Sequence, residues 1–410
     1  MNIRNIVVKN ASWNTVGIMI NLVCQWLITI FVVLLFYDYT EAGILALAMN
    51  ITNFFFCVST YNIRVFQTSD VKDEYNTGTY IAARIVTCTL SIVLCAFFLL
   101  LVGYSYSTGV VILFYMFFRA TEAFVDVYHG ISQKHWRMDY IGVSFAIRGV
   151  LSLVAFLALG RLYGLVVAVI GMAVVTALVG IFYDYPKTKT LSSLKPCFGK
   201  SVIVLLKHCF PLMLTILIST LIVSYSRYSV ERVHGVEALG VFASVVSPTM
   251  IVQVFAAFIF TPLINVFADA LEKMDIKKFI KIFGMCCFFI ICFILAIYIG
   301  AYVLGEWGLV LLFDEPIRPY SYLFRGAVIA SGFTAFMWFM NIIFSIIRDI
   351  RGIFYANIIG VVLCFAIIDR LLINYGLAGA NYVMIISQGV AVAYLFIRLF
   401  WFMKTKMKIQ

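Results

Sequence analysis

FRATEAFVDVYHGISQKHWRMDYIGVSFAIR, residues Phe118–Arg148, joins two apolar runs and sets charges inside both of them. The first run, about Ser107 to Ile131, is long enough to cross a bilayer, which takes ~20 residues of helix. Within it lie Arg119, Glu122, Asp126 and His129. At about 100° per residue these four fall within an arc of about 80°, and Tyr115 shares it. Arg148 then stands inside the next apolar run. A charge in hydrocarbon costs ~2.5–3.5 kcal/mol on insertion scales. A stripe of charges on one helix face therefore points inward, toward partner helices or a wet cavity. Two readings follow: a structural network in which the arginines neutralise the acids, or the polar wall of a transport pathway.

The rest of the chain fits a membrane setting. Of 410 residues, 64% are hydrophobic and only 12% charged, and the mean hydropathy is +1.04. Soluble globules do not have this composition. The net charge of +11 does not point to nucleic acid, because the basic residues are spread through short loops between apolar runs, which is a topology signal. The cysteines sit mostly within apolar runs, without CxxC or metal-ligand spacing, and read as small buried hydrophobes. No cleavable signal peptide is expected, since the first apolar run is too long and lacks a small-x-small site. No GxxxxGK[ST] sequence occurs, so neither nucleotide nor any other cofactor is implied.

Apolar windows of membrane-spanning length number about twelve, near 14–36, 41–63, 80–103, 107–131, 141–159, 163–183, 208–228, 238–268, 280–301, 322–347, 353–373 and 379–402. With the N-terminus inside, about two thirds of the 30 Lys and Arg fall on the cytoplasmic side, so both termini are expected to be cytoplasmic. The longest polar stretch, Asp184–Lys207, carries five lysines and divides the chain into 1–183, a linker 184–207, and 208–410. The outer loop Glu306–Tyr320 is modest. A faint repeat links the halves: Glu41 opens the second segment in EAGILA and Glu237 opens the eighth in EALGVFA. Such parallel repeats recur in transporters.

Depth, counted at ~1.5 Å per residue, places Arg64, Arg84, Arg119 and Arg148 in the inner half of the first six segments. Glu122, Asp126 and His129 step from Arg119 toward the cytoplasm. In the second half Arg325, Asp369 and Arg370 lie near outer helix ends, where snorkelling is cheap. Four arginines against two carboxylates leave a positive surplus, which is unfavourable when buried unless water or an anion meets it. Guanidinium suits phosphate oxygens. The expectation is a cationic cavity open to the cytoplasm, lined by Arg64, Arg84, Arg119 and Arg148, that receives a phosphate-bearing group. Glu122, Asp126 and His129 are its acidic and titratable members, with His129 and Asp126 candidates for a coupling proton.

The runs YNIRVFQTSDV (Tyr61–Val71) with Tyr75, GTYIAAR (Gly78–Arg84), RATEAFVDVYHG (Arg119–Gly130), QKHWRMD (Gln133–Asp139) and Arg148-Gly149 resemble Wzx-type polysaccharide flippases of the multidrug/oligosaccharidyl-lipid/polysaccharide (MOP) exporter superfamily. In the second half CFPL (Cys209–Leu212), Tyr225–Glu231 and Glu237–Phe242 continue the resemblance, more loosely. It implies an all-α polytopic membrane protein of about twelve transmembrane helices, in two six-helix lobes around a central cavity. It also implies a substrate, an oligosaccharide repeat unit linked by diphosphate to a polyprenyl lipid, and a place in the bacterial cytoplasmic membrane beside a polysaccharide polymerase and glycosyltransferases. On this reading the diphosphate would meet the arginines.

Two rivals stand beside it. A MATE-like drug or cation exporter would favour acidic residues over an arginine-rich cavity. A membrane-embedded polysaccharide-modifying enzyme would need a large outer loop or a supported His/acid pair. Glu306–Tyr320 is too short for the first; for the second, neither His129 near Asp126 nor His135 has a supporting motif, and His208 and His234 lie alone at segment ends.

Overall fold

Helices dominate because nearly every segment is long, apolar and bounded by a cap or a glycine, and backbone groups in hydrocarbon must be satisfied within the segment. The computed structural model describes residues 3–70, 73–252, 263, 266–267, 269–271, 273 and 275–407. Ten helices among the described residues are long and apolar enough to cross a membrane. The helix carrying the charge stripe, expected as a span near 107–131, is 29 residues long but is not one of these ten. Of the segment expected near 238–268, the part through Val252 is an apolar helix and most of the remainder lies outside the described residues, as do Val71, Lys72 and Lys408. The chain divides into two compact units, Met1–Leu217 and Ile218–Gln410.

The first unit comprises α1 (Ile3–Phe36), α2 (Tyr39–Thr60), α3 (Ile63–Ser69), α4 (Thr77–Val102), α5 (Tyr106–Lys134), α6 (Met138–Tyr163), α7 (Leu165–Val179) and α8 (Tyr185–Lys189), with the start of α9 (Lys200–His234). A π-helical turn, Gly180–Asp184, joins α7 to α8. Side-chain caps start several of these helices. Asp38 accepts from the Thr40 amide, Asn76 from Thr79 and Ser105 from Thr108, each satisfying an orphan donor. Helix α5 is the hub and touches α2, α3, α4, α6 and α7. Helices α1 and α6 meet backbone to backbone. A Cβ built on Gly17 would stand 1.9 Å from the Gly142 carbonyl oxygen, and one on Gly142 would stand 2.1 Å from that of Trp13. This is the small-residue contact typical of membrane helices.

Three boundaries differ from the sequence expectation. The second segment does not run straight to Ile63. Tyr61 and Asn62 adopt left-handed conformations, with φ of 45° and 54°, and break it into α2 and the short α3. The ninth segment does not stop at residue 301, since Val303, Leu304, Trp307 and Leu309 keep the pattern apolar and the helix runs to Phe313. The stretch 184–207 is helical at both ends, and Leu191 and Leu194 pack against the buried Ile63, Tyr80 and Ile81. The Cys197 amide donates to the Gly78 carbonyl at 2.9 Å, fixing this segment to the first unit.

The second unit contains the remainder of α9, α10 (Val236–Val246), α11 (Ile276–Phe313), α12 (Tyr322–Ile346), α13 (Ile350–Tyr375) and α14 (Ala378–Met407). Glu237 occupies the first turn of α10 as Glu41 does that of α2. An aromatic core forms around Phe267, Phe279, Phe339 and Phe344. Buried hydroxyls and amides pair across helices, Thr249 with Ser331 at 2.7 Å and Thr334 with Gln388 at 2.9 Å. Asp369 pairs with Arg232 at an exposed helix end, and the Arg325 guanidinium lies 4.3 Å from the centre of the Tyr302 ring. Both fit a peripheral role.

Candidate functional site

Because α5 is a hub, its polar stripe meets several neighbours rather than one cavity. Asp126 holds two arginines. Its Oδ1 accepts from Arg64 Nη1 at 2.9 Å and its Oδ2 from Arg84 Nη2 at 3.1 Å. Arg84 is completely buried. Its Nη1 donates to the carbonyls of Ser59 at 2.8 Å and Thr60 at 2.6 Å, the frayed end of α2. Arg64 also donates to Gln133 Oε1, from Nε at 3.3 Å and Nη2 at 3.0 Å. The break at Tyr61–Asn62 is what aims Arg64 at α5. Gln67, one turn along α3, sits over Gly130 on α5, where any Cβ would stand 2.1 Å from its Oε1.

Asp70, which follows α3, is held independently. Asp70 accepts from the amides of Glu74 at 2.9 Å and Tyr75 at 3.2 Å and from the Tyr80 hydroxyl at 2.8 Å. Burial pushes its carboxyl upward, but these three donors and Lys134 together hold it below the ordinary carboxylate value. Lys134 also ties the end of α5 to Asp73 at 2.6 Å.

Arg119 is separate from that cluster. Its Nη1 donates to Glu122 Oε2 at 2.6 Å, and its guanidinium stacks 3.7 Å from the centre of the Phe56 ring on α2, a favourable cation–π placement. Both charged side chains keep some exposure, 23% and 15%.

His129 turns toward α6. Its Nε2 lies 3.2 Å from Ser144 Oγ and 3.4 Å from Asp184 Oδ1. Ser144 in turn donates to Asp184 Oδ2 at 2.9 Å. All three are buried. The sequence reading paired His129 with Asp126 and counted Asp184 as the first linker residue, so it missed this acid. Its signal was an acidic residue between two tyrosines at the end of the apolar run.

Arg148 lies one turn from Ser144 on the same face of α6. It is 4% exposed, and its guanidinium is 4.9 Å from the centre of the Phe145 ring. It makes no ion pair among the described residues, and its Nε and Nη1 have no hydrogen-bond partner there. The four arginines therefore divide into two that are locked on Asp126, one paired with Glu122, and one unpaired. Counting Asp184, these four arginines face three carboxylates, so a positive surplus remains; two arginines share Asp126, and Arg148 is the one of the four that has no ion pair among the described residues. Among the described residues no group of His, Cys, Asp and Glu has the geometry to hold a metal ion.

Comparison with known proteins places this architecture. No curated protein matches the sequence significantly. The lipid II flippase MurJ in its inward closed conformation superposes with a TM-score of 0.74 at 14% identity, over 96% of this chain and 87% of that one. An inward-facing multidrug resistance MATE family transporter of the MOP superfamily gives 0.69 at 14% identity, over 100% and 96%. The Vibrio cholerae MATE transporter VcmN in its bent form gives 0.62 at 15% identity, over 98% of both chains. At these identities the likeness concerns the fold, and the fold is that of MOP-superfamily membrane transporters. The sequence itself matches the family model described as polysaccharide biosynthesis protein over residues 7–271, well over half of the chain, and the protein belongs to that family.

Proposed function

We propose that this membrane transporter is a flippase for polyprenyl-diphosphate-linked oligosaccharide repeat units, working by alternating access in the bacterial cytoplasmic membrane with both termini inside. The observation that carries the reading is Arg148, a membrane-embedded guanidinium with two nitrogen donors unsatisfied. Leaving a buried charge unpaired is costly, and an arriving diphosphate would remove that cost with bidentate hydrogen bonds. Arg119, partly exposed and neutralised by a single acid, is the second candidate contact. Arg64 and Arg84 act as positioning residues through Asp126. The His129–Ser144–Asp184 group takes the coupling role that the sequence reading gave to His129 and Asp126. The family described as polysaccharide biosynthesis proteins supports the substrate class. The six-segment lobes at 1–183 and 208–410 are part of the same proposal, as are partnerships with a polymerase and glycosyltransferases.

The test is deletion of the gene in its host, followed by complementation with wild type, Arg148→Lys and Arg148→Gln at matched membrane levels. The expected result is that complete lipid-linked repeat units accumulate in the deletion and the Arg148→Gln strain, while surface polysaccharide is lost. Full restoration by Arg148→Gln would refute the role of the arginine. No lipid-linked sugar in the deletion, with raised sensitivity to cationic compounds, would instead establish a MATE-like exporter.

A further inference from the structure

The face of α5 opposite the charge stripe borders an apolar cavity of about 510 Å³ lined by α4, α5 and the α7–α8 region. Ile92 of α4, Phe117, Phe124 and Tyr128 of α5, and Ile181 and Tyr185 beyond α7 are among its lining residues. Around α5 at 100° per residue, Phe117, Thr121, Phe124 and Tyr128 centre about 180° from Asp126 and Arg119, so the two faces do not share occupants. From Phe117 to Tyr128 the cavity follows α5 for about 16 Å. Two of its lining side chains are large, apolar and outward-facing, Phe117 at 41% and Ile181 at 58% exposure, and the neighbouring Phe182 is 75% exposed. In a membrane protein such side chains meet lipid chains.

One end of the cavity is basic. Tyr185 closes it, with its ring 6.4 Å from that of Tyr128. Lys189 Nζ stands 5.8 Å from the centre of the Tyr185 ring, and Lys187 Nζ lies 5.3 Å from that of Tyr140. Both lysines are exposed, and neither forms an ion pair among the described residues. No Asp or Glu follows Asp184 in the sequence until Glu231, and Asp184 is buried and engaged by His129 and Ser144. An apolar slot of acyl-chain proportions thus ends at Tyr185 with the Lys189 cation over its ring, and Lys187 stands two residues before Lys189 on α8.

We propose that this slot is a binding site for an anionic phospholipid of the leaflet bordering α8, with an acyl chain between α4, α5 and α7 and the headgroup phosphate on Lys187 and Lys189. Polybasic residues beside a membrane helix attract anionic headgroups, and the uncharged slot accepts the chain. The diphosphate-bearing substrate is assigned to the other face of α5, so the site is independent of the transport reading.

The experiment uses the full-length protein in nanodiscs of phosphatidylcholine doped with phosphatidylglycerol that carries a photoactivatable acyl chain. Crosslinked peptides are mapped by mass spectrometry. The expected result is labelling concentrated on the peptides containing Phe117–Tyr128 and Ala177–Tyr185. Labelling should be at least threefold weaker with the matching phosphatidylcholine probe, and at least threefold weaker in Lys187→Gln/Lys189→Gln. Retention of the wild-type thermal midpoint by that variant excludes misfolding as the cause. Equal labelling by both headgroups, or labelling spread over all helices, would overturn the proposal. Displacement of the probe by polyprenyl diphosphate at stoichiometric concentration would also overturn it, by making the slot a substrate site.

Discussion

Asp126→Asn is the most informative single change. The wild-type carboxylate is shared by two guanidinium groups and offsets one of their two charges, and one of them, Arg84, has no exposure at all. Asparagine keeps one acceptor oxygen, which serves Arg64 or Arg84 but carries no charge for either. The carbonyls of Ser59 and Thr60 still hold Arg84 Nη1, so the group that loses its partner is Nη2, next to an Nε that has none among the described residues. Removing one partner of a buried pair costs ~3–5 kcal/mol. Asp126 and Arg64 are each about a quarter exposed, which places the expectation near the lower end, ~3 kcal/mol. For a cooperative unit of roughly 200 residues, 1 kcal/mol moves the midpoint by about 2–4 °C, giving a fall of roughly 6–12 °C. The assay is thermal unfolding of the detergent-solubilised protein at one fixed scan rate, since such unfolding is usually irreversible. Arg84→Gln in the Asp126→Asn background removes the stranded charge, so the double variant should melt above Asp126→Asn alone. A midpoint for Asp126→Asn within about 2 °C of wild type, or strictly additive losses in the double variant, would refute the view of Asp126 as the clamp of this cluster.

Three further outcomes follow. Gly17→Ala drives a Cβ against the Gly142 carbonyl and should cost ~1–3 kcal/mol or more through overpacking, whereas Gly109→Ala, with nothing within 4 Å, should melt at or slightly above the wild-type temperature. In the second unit the Arg398 guanidinium, at 2.5 and 2.9 Å, holds the Asp349 carboxyl below its ordinary value. A carboxyl lowered on folding contributes stability above the unfolded value of ~3.9 and loses it as pH falls through the folded value. Melting between pH 5 and pH 3 should therefore fall less steeply in Asp349→Asn than in wild type. Arg148→Gln removes an unpaired buried charge, so its midpoint should equal or exceed that of wild type even where transport is lost; a drop of several degrees would mean that Arg148 has a structural partner.

The helices and the charged stripe were legible because hydrophobicity and the 3.6-residue period act locally. The residues Arg119, Glu122, Asp126 and His129 do share a face of α5. What periodicity does not carry is which neighbour each one meets. With α5 at the centre of the unit, an arc of about 80° is wide enough to send Arg119 to α2, Asp126 to α3 and α4, and His129 to α6. Equal depth suggested one cationic surface, but Arg64 and Arg84 converge on a single acid instead. Arg64 reaches it through a left-handed Tyr61–Asn62 pair that lacks the glycine or proline by which such breaks are usually read. Asp184 was assigned to a linker because its neighbours Lys187 and Lys189 look soluble; the π-helical turn that rotates it inward depends on packing against α5 and α6.

The glycine contact between α1 and α6 has a mechanical consequence. Where Gly17 and Gly142 meet, backbone touches backbone and no side-chain layer exists to slide or re-register. Shear between packed helices needs such a layer, whereas hinge motion concentrates in a few terminal residues. Helices α1 and α6 are therefore a single stiff strut. Any rearrangement that opens the first unit during a transport cycle has to carry them together, with the bending confined to joints such as Tyr61–Asn62 and the π-turn at Gly180–Asp184.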